Sequence, residues 1–316
     1  MTRRDALAIK GYNFFGFAKR KITMSRMLLA CASAMLLVST TQAQEQKPPT
    51  YATTKVEGTD GVYTFTYGNR VSMFVVTPAG VIATDPAGYG QPERVPTYIK
   101  EIRKVTDKPI KYLIYSHHHY DHISGGQPFK DAGAKIIAHK KVKERLAALN
   151  GPATPLPDET FDKKKTVKLG GTTLELTYHG LNHSDSTIVM RLPKEKIVFT
   201  VDTVPVGSMP GRGMIDSYVI EWENFLQQLY VMDWEKLIPG HPGQPGGRLG
   251  TKQDVQFLLG LMQDASSAVR AAALEVKCWE PVEKELQLPK YASLPGYQAG
   301  PPFVLRRYCG LWGRGT

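Results

Sequence analysis

Ser116-His117-His118-His119-Tyr120-Asp121-His122 decides the reading of this chain, because His117, His119, Asp121 and His122 all fall within six positions. The stretch follows Ile110 to Tyr115, whose apolar, aromatic pattern predicts a strand. Alternate residues of an extended segment point the same way, so His117 and His119 can grip one ion together. Asp121 and His122 come just after them, where a turn can aim both at a second ion. Imidazole and carboxylate suit zinc and several other first-row metals. A rigid strand that delivers a ligand-rich loop is a common way to build a functional site.

Outward from this motif, three more ligand-type residues stand at predicted strand ends. His183 lies in the turn Gly180-Leu-Asn-His-Ser-Asp-Ser186, Asp202 ends the strand Ile197 to Val201, and His241 lies in Pro239-Gly-His-Pro-Gly243. Alone, each would read as structural; beside the six-residue motif, each reads as a ligand. Of the other histidines, His118 occupies a variable position of the motif, and His139 and His179 are read as scaffold. Tyr120 either lines a pocket or packs.

The remaining chain alternates strands and helices. Val62 to Tyr67, Val71 to Thr77 and Val81 to Thr84 read as a strand meander, Pro92 to Val105 as an amphipathic helix, Lys135 to Ala138 as a strand and Lys140 to Leu149 as a helix. A proline-rich loop, 151–157, opens a second series: strands Thr166 to Leu169, Thr172 to Tyr178, Thr187 to Leu192 and Ile197 to Val201. Helices follow near Glu221 to Trp234 and Thr251 to Val276. Two strand-rich halves, each followed by helices, predict an α+β sandwich of two sheets with helices outside. The expected organisation is a 44–57 linker, a 58–285 domain and a 286–316 C-terminal tail packing on it.

With 316 residues, 42% hydrophobic and 22% charged, the chain has ordinary globular composition. Of the net charge of +11, +6 lies within residues 1–43, which leaves a mildly basic body of +5. That excess does not call for a nucleic-acid partner. Residues 1–43 read as an N-terminal extension and signal peptide, with an apolar h-region at 27–38 and small residues Thr41 and Ala43 before a cleavage site at Gln44. The run is too short to predict a membrane span. Thr2-Arg3-Arg4 and Leu28-Leu-Ala-Cys31 offer twin-arginine and lipoprotein alternatives, and Met24 is a second candidate start. Periplasmic or secreted localisation is expected. Signal removal would leave Cys278 and Cys309, either as a disulfide or as two separate thiols.

The order His-x-His-x-Asp-His, a Gly-x-x-His turn, a strand ending in Asp and then Pro-Gly-His resembles the metallo-β-lactamase superfamily. Asp85, in Ile82-Ala-Thr-Asp-Pro-Ala-Gly88, matches that family's first motif, a strand-end aspartate that braces the metal loop. The resemblance covers about residues 58–245. It implies an αββα sandwich of two mixed β-sheets flanked by helices, with metals at one sheet edge. One metal would take His117, His119 and His183, the other Asp121, His122 and His241, with Asp202 bridging. Two Zn²⁺ ions are expected, iron or manganese being the alternatives. Such a pair shares a hydroxide that attacks a carbonyl or phosphoryl carbon or phosphorus, and Asp121 is the candidate catalytic group that orients it.

The ligand set implies a hydrolase acting on an ester, thioester, lactone or amide of a small-molecule substrate. It resembles glyoxalase II and acyl-lactone hydrolases, and the stretch Leu294-Pro-Gly-Tyr297 to Arg307-Tyr308 resembles secreted metallohydrolases found beside quinoprotein systems. β-Lactam hydrolysis is one alternative, although Asp202 occupies a position where zinc β-lactamases have no bridging aspartate. An iron-dependent persulfide dioxygenase is an alternative of another class. Substrate selection is expected in 89–92, 151–157 and 206–218, where Arg212 is the candidate substrate contact.

Overall fold

The computed structural model describes residues 51–149, 154–243 and 247–315. The signal-peptide reading and part of the proline-rich loop lie outside the described residues. The first sheet has seven strands in chain order: β1 (Tyr51–Lys55), β2 (Val62–Tyr67), β3 (Arg70–Thr77), β4 (Gly80–Thr84), β5 (Ile110–Ile114), β6 (Lys135–His139) and β7 (Glu159–Phe161). Neighbours are antiparallel up to β4 and parallel from β4 to β7. The second sheet comprises β8 (Lys164–Leu169), β9 (Thr172–Thr177), β10 (Val189–Leu192), β11 (Ile197–Thr200) and β12 (Lys236–Pro239), in the order β12-β11-β10-β9-β8. Here only the β11–β12 pair is parallel.

Period-two alternation divides each strand between two cores. Val71, Met73 and Val75 of β3 face inward with Ile82, Ile114 and Ile137, and meet Leu174, Leu176, Met190, Ile197 and Phe199 of the second sheet. Phe74, Ala83, Leu113 and Ile136 point the other way, under α1 (Arg94–Val105), α3 (Gln127–Asp131) and α4 (Lys140–Leu149). The helical turn α2 (Tyr120–Ile123) carries the end of the metal-ligand motif. Behind the second sheet, Val189, Val198 and Leu237 pack under α5 (Val219–Val231) and α6 (Lys252–Leu274). The result is four layers, helix–sheet–sheet–helix, as the α+β reading expects.

Two regions depart from the sequence reading. Residues 51–57, assigned to a polar linker, begin with β1, which pairs in register with the whole of β2 from Tyr51–Tyr67 to Lys55–Tyr63. Tyr51 stacks on Tyr67 at 5.9 Å, and Thr53 Oγ1 donates to Glu101 Oε2 at 2.9 Å. An edge strand needs only one buried face, so its polar composition disguised it.

The C-terminal residues, read as a tail packing on the domain, include a helix buried in its core. After α7 (Glu280–Glu285), α8 (Pro301–Arg314) buries Val304, Leu305 and Tyr308 in the same core as α5 and α6. Tyr308 donates to Glu223 Oε1 at 2.7 Å, and Tyr291 to Asp264 Oδ2 at 2.6 Å, tying the segment to both helices. Cys278 and Cys309 are free thiols here; burial pushes Cys309 up to about 12, and its sulfur accepts from the Trp279 N–H at 3.3 Å.

Because Leu305 is fully buried, Leu305→Ala should cost about 2–5 kcal/mol, as large-to-small core changes do. The shift of the urea unfolding midpoint measures it; a loss near zero would show that α8 is not part of the folded core.

Candidate metal centre

All seven predicted ligands converge at one edge, six of them just past the carboxyl ends of strands and His183 in the turn before β10. β4 ends on Asp85, β5 runs into Ser116–His122, β11 into Asp202 and β12 into His241. The parallel pairs β4–β5 and β11–β12 bring these ends to one edge. Val71 N–H donates to Gly240 O at 2.9 Å and Ile188 N–H to Ser116 O at 3.0 Å, so the two sheets are joined beside the site.

The donors form two overlapping sets. His117, His119, His183 and Asp202 can each turn one ligand atom to within 4.8 Å of the others, and so can Asp121, His122, Asp202 and His241. Asp202 belongs to both: its Oδ2 lies 3.0 Å from His122 Nε2, 3.4 Å from His183 Nε2 and 3.8 Å from His117 Nε2, while Oδ1 lies 3.1 Å from His241 Nε2. Within the sets, His119 Nδ1 approaches His183 Nε2 at 3.1 Å, and His122 Nε2 approaches His241 Nε2 at 3.2 Å. Two nitrogens on one tetrahedral zinc stand about 3.3 Å apart, given bonds near 2.0–2.1 Å. His117 Nε2 is buried with no hydrogen-bond partner among the described residues. These residues therefore fit a metal pair chemically, each set offering three or four nitrogen and oxygen donors.

Charge balance favours the same arrangement. Burial, then His119, His122 and His183, hold the His117 imidazole well below its ordinary range, and burial brings His183 down to about 4. Neutral rings keep a lone pair for a metal. Burial alone would raise Asp202, but His122 and His241 outweigh it and hold the carboxyl well below the usual carboxylate range. Burial opposes charge on His122 too, yet Asp202 overrides it and raises the ring.

Backbone strain is present at the same edge. Asp85 (φ 35°) and Asp202 (φ 62°) adopt left-handed conformations, which cost a non-glycine residue about 1–3 kcal/mol and persist only where the surroundings hold them. Glycine is required at position 240, because a Cβ there would sit 2.5 Å from Val201 Cγ1 and 3.0 Å from Asp202 Oδ1. Asp85 is buried and unexposed; its Oδ1 accepts from the Ser116 N–H at 2.8 Å, and burial pushes it up to about 6. It thus fixes the residue preceding His117.

The other motif positions find separate work. His118 Nδ1 lies 2.8 Å from Ser186 Oγ, linking the motif to the His183 turn. Tyr120 lines the cleft and packs partly against the core. His139 stacks on Tyr178 and pairs with the Asp162 carbonyl, and His179 bonds Thr177 and Gln228; neither joins the donor sets. Arg212 is exposed at the rim of the cleft. Sequence reasoning missed Asp216, whose Oδ2 lies 3.6 Å from His119 Nε2, and Arg70, which pairs with Asp121 at 3.0 Å. Neither carries a ligand-like motif, and no spacing pointed to them.

Comparison with known proteins agrees with this fold. The family model described as the metallo-beta-lactamase superfamily matches residues 66–247. A 2,4-dinitroanisole O-demethylase subunit alpha from Nocardioides sp. (strain JS1661) is 26% identical over 196 residues, 61% of this chain and 58% of that protein. The chain thus spans little more than half the length of that relative. A metallo-beta-lactamase type 2 from Elizabethkingia meningoseptica is 27% identical over 187 residues, 57% of this chain and 69% of the other. The solved structure of a metallo-beta-lactamase from Pontibacter korlensis superposes with a TM-score of 0.60 at 22% identity, covering 68% of this chain and 99% of that one.

Removing the Asp85 brace should loosen the motif without unfolding the chain. Asp85→Ala is expected to weaken zinc binding about 10–100-fold, the usual cost of losing a partner that orients ligands, with a smaller loss for Asp85→Asn. Competition against a chromogenic chelator reads this; unchanged affinity in Asp85→Ala would refute the bracing.

Proposed function

The chain belongs to the metallo-β-lactamase superfamily, which contains hydrolases, and on that premise we propose that it is an exported, dinuclear zinc-dependent hydrolase. The observation that carries the reading is Asp202, shared between two donor sets. His117, His119 and His183 would hold one ion, Asp121, His122 and His241 the other, with Asp202 between them. A bound pair supplies an activated water at neutral pH and polarises the substrate oxygen. The chain's own residues do the rest. Asp121 is 32% exposed and opens on the cleft, where its carboxylate can orient the nucleophile and take its proton. Burial holds His117 and His183 neutral, so these two keep electron pairs to donate.

A cleft of about 1630 Å³ surrounds the donors, reached by Tyr89 and by Ser208 to Asp216 from two of the loops expected to select substrate. This favours a substrate larger than the reacting bond. Arg70, Arg212 and Arg248 are the arginines on its wall. Arg70 pairs with Asp121 and Arg248 with Asp254, so Arg212 is the wall arginine without an acidic partner among the described residues. It is the proposed contact for an anionic substrate group.

The two relatives' names differ in the bond acted on, so preference among bonds rests on local charge. Asp202 adds a negative charge between the metal positions, opposing an incoming carboxylate. Val204 and Pro205, not a lysine, follow it on the cleft wall. A β-lactam carboxylate would have only the exposed Arg212 on the wall to pair it, with no lysine after Asp202, and a charge buried without a close partner is costly. Esters, thioesters or lactones are therefore the proposed substrates. Residues 1–43 carry the proposed signal, and among the described residues no helix is long and apolar enough to cross a membrane.

Two measurements test this reading. Purified protein should hold close to two zinc equivalents per chain and turn over an ester, thioester or lactone with kcat/KM at least about tenfold above penicillin, cephalosporin and carbapenem, a difference of about 1.4 kcal/mol in transition-state stabilisation. One iron equivalent with oxygen uptake on a persulfide, or lactam turnover without esterase activity, would overturn it. Intact mass of the exported protein should begin at Gln44; an acylated Cys31 would establish a lipoprotein instead.

A further inference from the structure

The turn between β2 and β3 touches the second donor set from outside it. Gly68 (φ 58°) makes the tight reversal that brings Asn69 and Arg70 over the site. Arg70 Nε donates to the backbone oxygen of Asp121 at 3.1 Å, and its Nη2 lies 3.0 Å from Asp121 Oδ2. Its third nitrogen, Nη1, donates to Asn69 Oδ1. The backbone oxygen of the same Asn69 faces His241 Nδ1 within hydrogen-bond distance. A carbonyl oxygen only accepts, so His241 Nδ1 carries a proton, and Nε2, 3.1 Å from Asp202 Oδ1, is the ring nitrogen turned toward the donor set. Val71 N–H, the next backbone donor, holds Gly240 O at 2.9 Å.

We propose that this hairpin is a clasp for the second metal site, with Arg70 as a positioning residue that aims Asp121 and Asn69 fixing the tautomer of His241. The inference rests on the two-metal reading above. Arg70 grips Asp121 Oδ2 and the backbone together, so Asp121 cannot rotate freely, and the gripped Oδ2 is held 3.5 Å from His122 Nε2. A guanidinium fork can hold both points at once; a lysine ammonium is a single point charge and holds one. A lone cation near two dications would repel them, so its place here makes sense as a clamp on the carboxylate. Arg70 is also 16% exposed, which shields the pair from solvent competition.

The first donor set has other supports. Ser116 Oγ faces His117 Nδ1 at 2.8 Å, Asp216 lies near His119, and Trp222 packs edge-on to His183 at 5.7 Å. None of these contacts comes from the hairpin. The clasp should therefore act on one site and spare the other.

The test is stepwise zinc binding to metal-free wild-type, Arg70→Ala and Arg70→Lys chains, with chelator competition for each Kd and circular dichroism for folding. In Arg70→Ala the second zinc should bind about 10–100-fold more weakly, the first within about threefold of wild type, and Arg70→Lys should recover part of the loss. Equal weakening of both sites would show a general structural role and overturn the proposal. So would two unchanged Kd values with a raised KM for an anionic substrate alone, which would make Arg70 a substrate cation. A wild-type chain that binds one zinc overturns the two-metal reading itself, and the clasp with it. If Arg70→Ala fails to fold, Arg70→Lys decides, since it keeps the charge and removes only the fork.

Discussion

A carboxylate held among imidazoles at the meeting point of two sheets is the constraint on which the rest of this structure depends. Asp202 is 11% exposed and has four histidine nitrogens within 3.8 Å. Such a charge is costly to bury unless it is paired. The pairing partners come from β5, from the turn before β10 and from β12, so the chain must bring three distant segments to one point. Parallel strand pairs do this because their carboxyl ends lie side by side. The backbone strain at Asp85 and Asp202 sits at the same edge, where the surrounding hydrogen bonds can hold it.

Much of this was legible in the sequence, for reasons that differ by element. Buried strands declared themselves through apolar runs such as Gly80 to Thr84, every residue of which is buried. The ligands declared themselves because seven donor-type residues at turns and strand ends have no common packing purpose. β1 stayed hidden because an exposed edge strand, with burial on one residue in five at most, shows no alternation. β12 was visible only as a short apolar run before His241, too brief to separate from a loop. α8 was hidden for another reason: Pro301 and Pro302 and the glycines around them read as a tail, yet prolines in the first helical turn are compatible with a helix.

Arg70 illustrates what sequence cannot carry at all. Its partner Asp121 is 51 residues away, and nothing in Tyr-Gly-Asn-Arg beyond a turn signal distinguishes it from a solvated hairpin arginine. The contact exists because the start of β3 lies beside the helical turn that follows β5, an outcome of sheet packing. Motifs reveal residues that touch a metal because that chemistry restricts residue type. Residues that aim those ligands can be almost anything with a donor in the right place, so only the fold reveals them.

Under the proposed function, the division between donors and walls separates a common chemistry from the choice of substrate. The donors stand on strand ends, whose positions are set by ladder hydrogen bonds and by two buried cores. The cleft walls are loops, 89 and 208–216 among them, whose residues pack less and can change without moving the donors. Charge on the wall then selects among nucleophile-compatible bonds. In this chain the negative charge of Asp202 is fixed by the site itself, whereas Arg212 is exposed and replaceable. On the proposed function, discrimination rests on this weaker, adjustable element, and the donor cage is left to supply the chemistry common to every substrate.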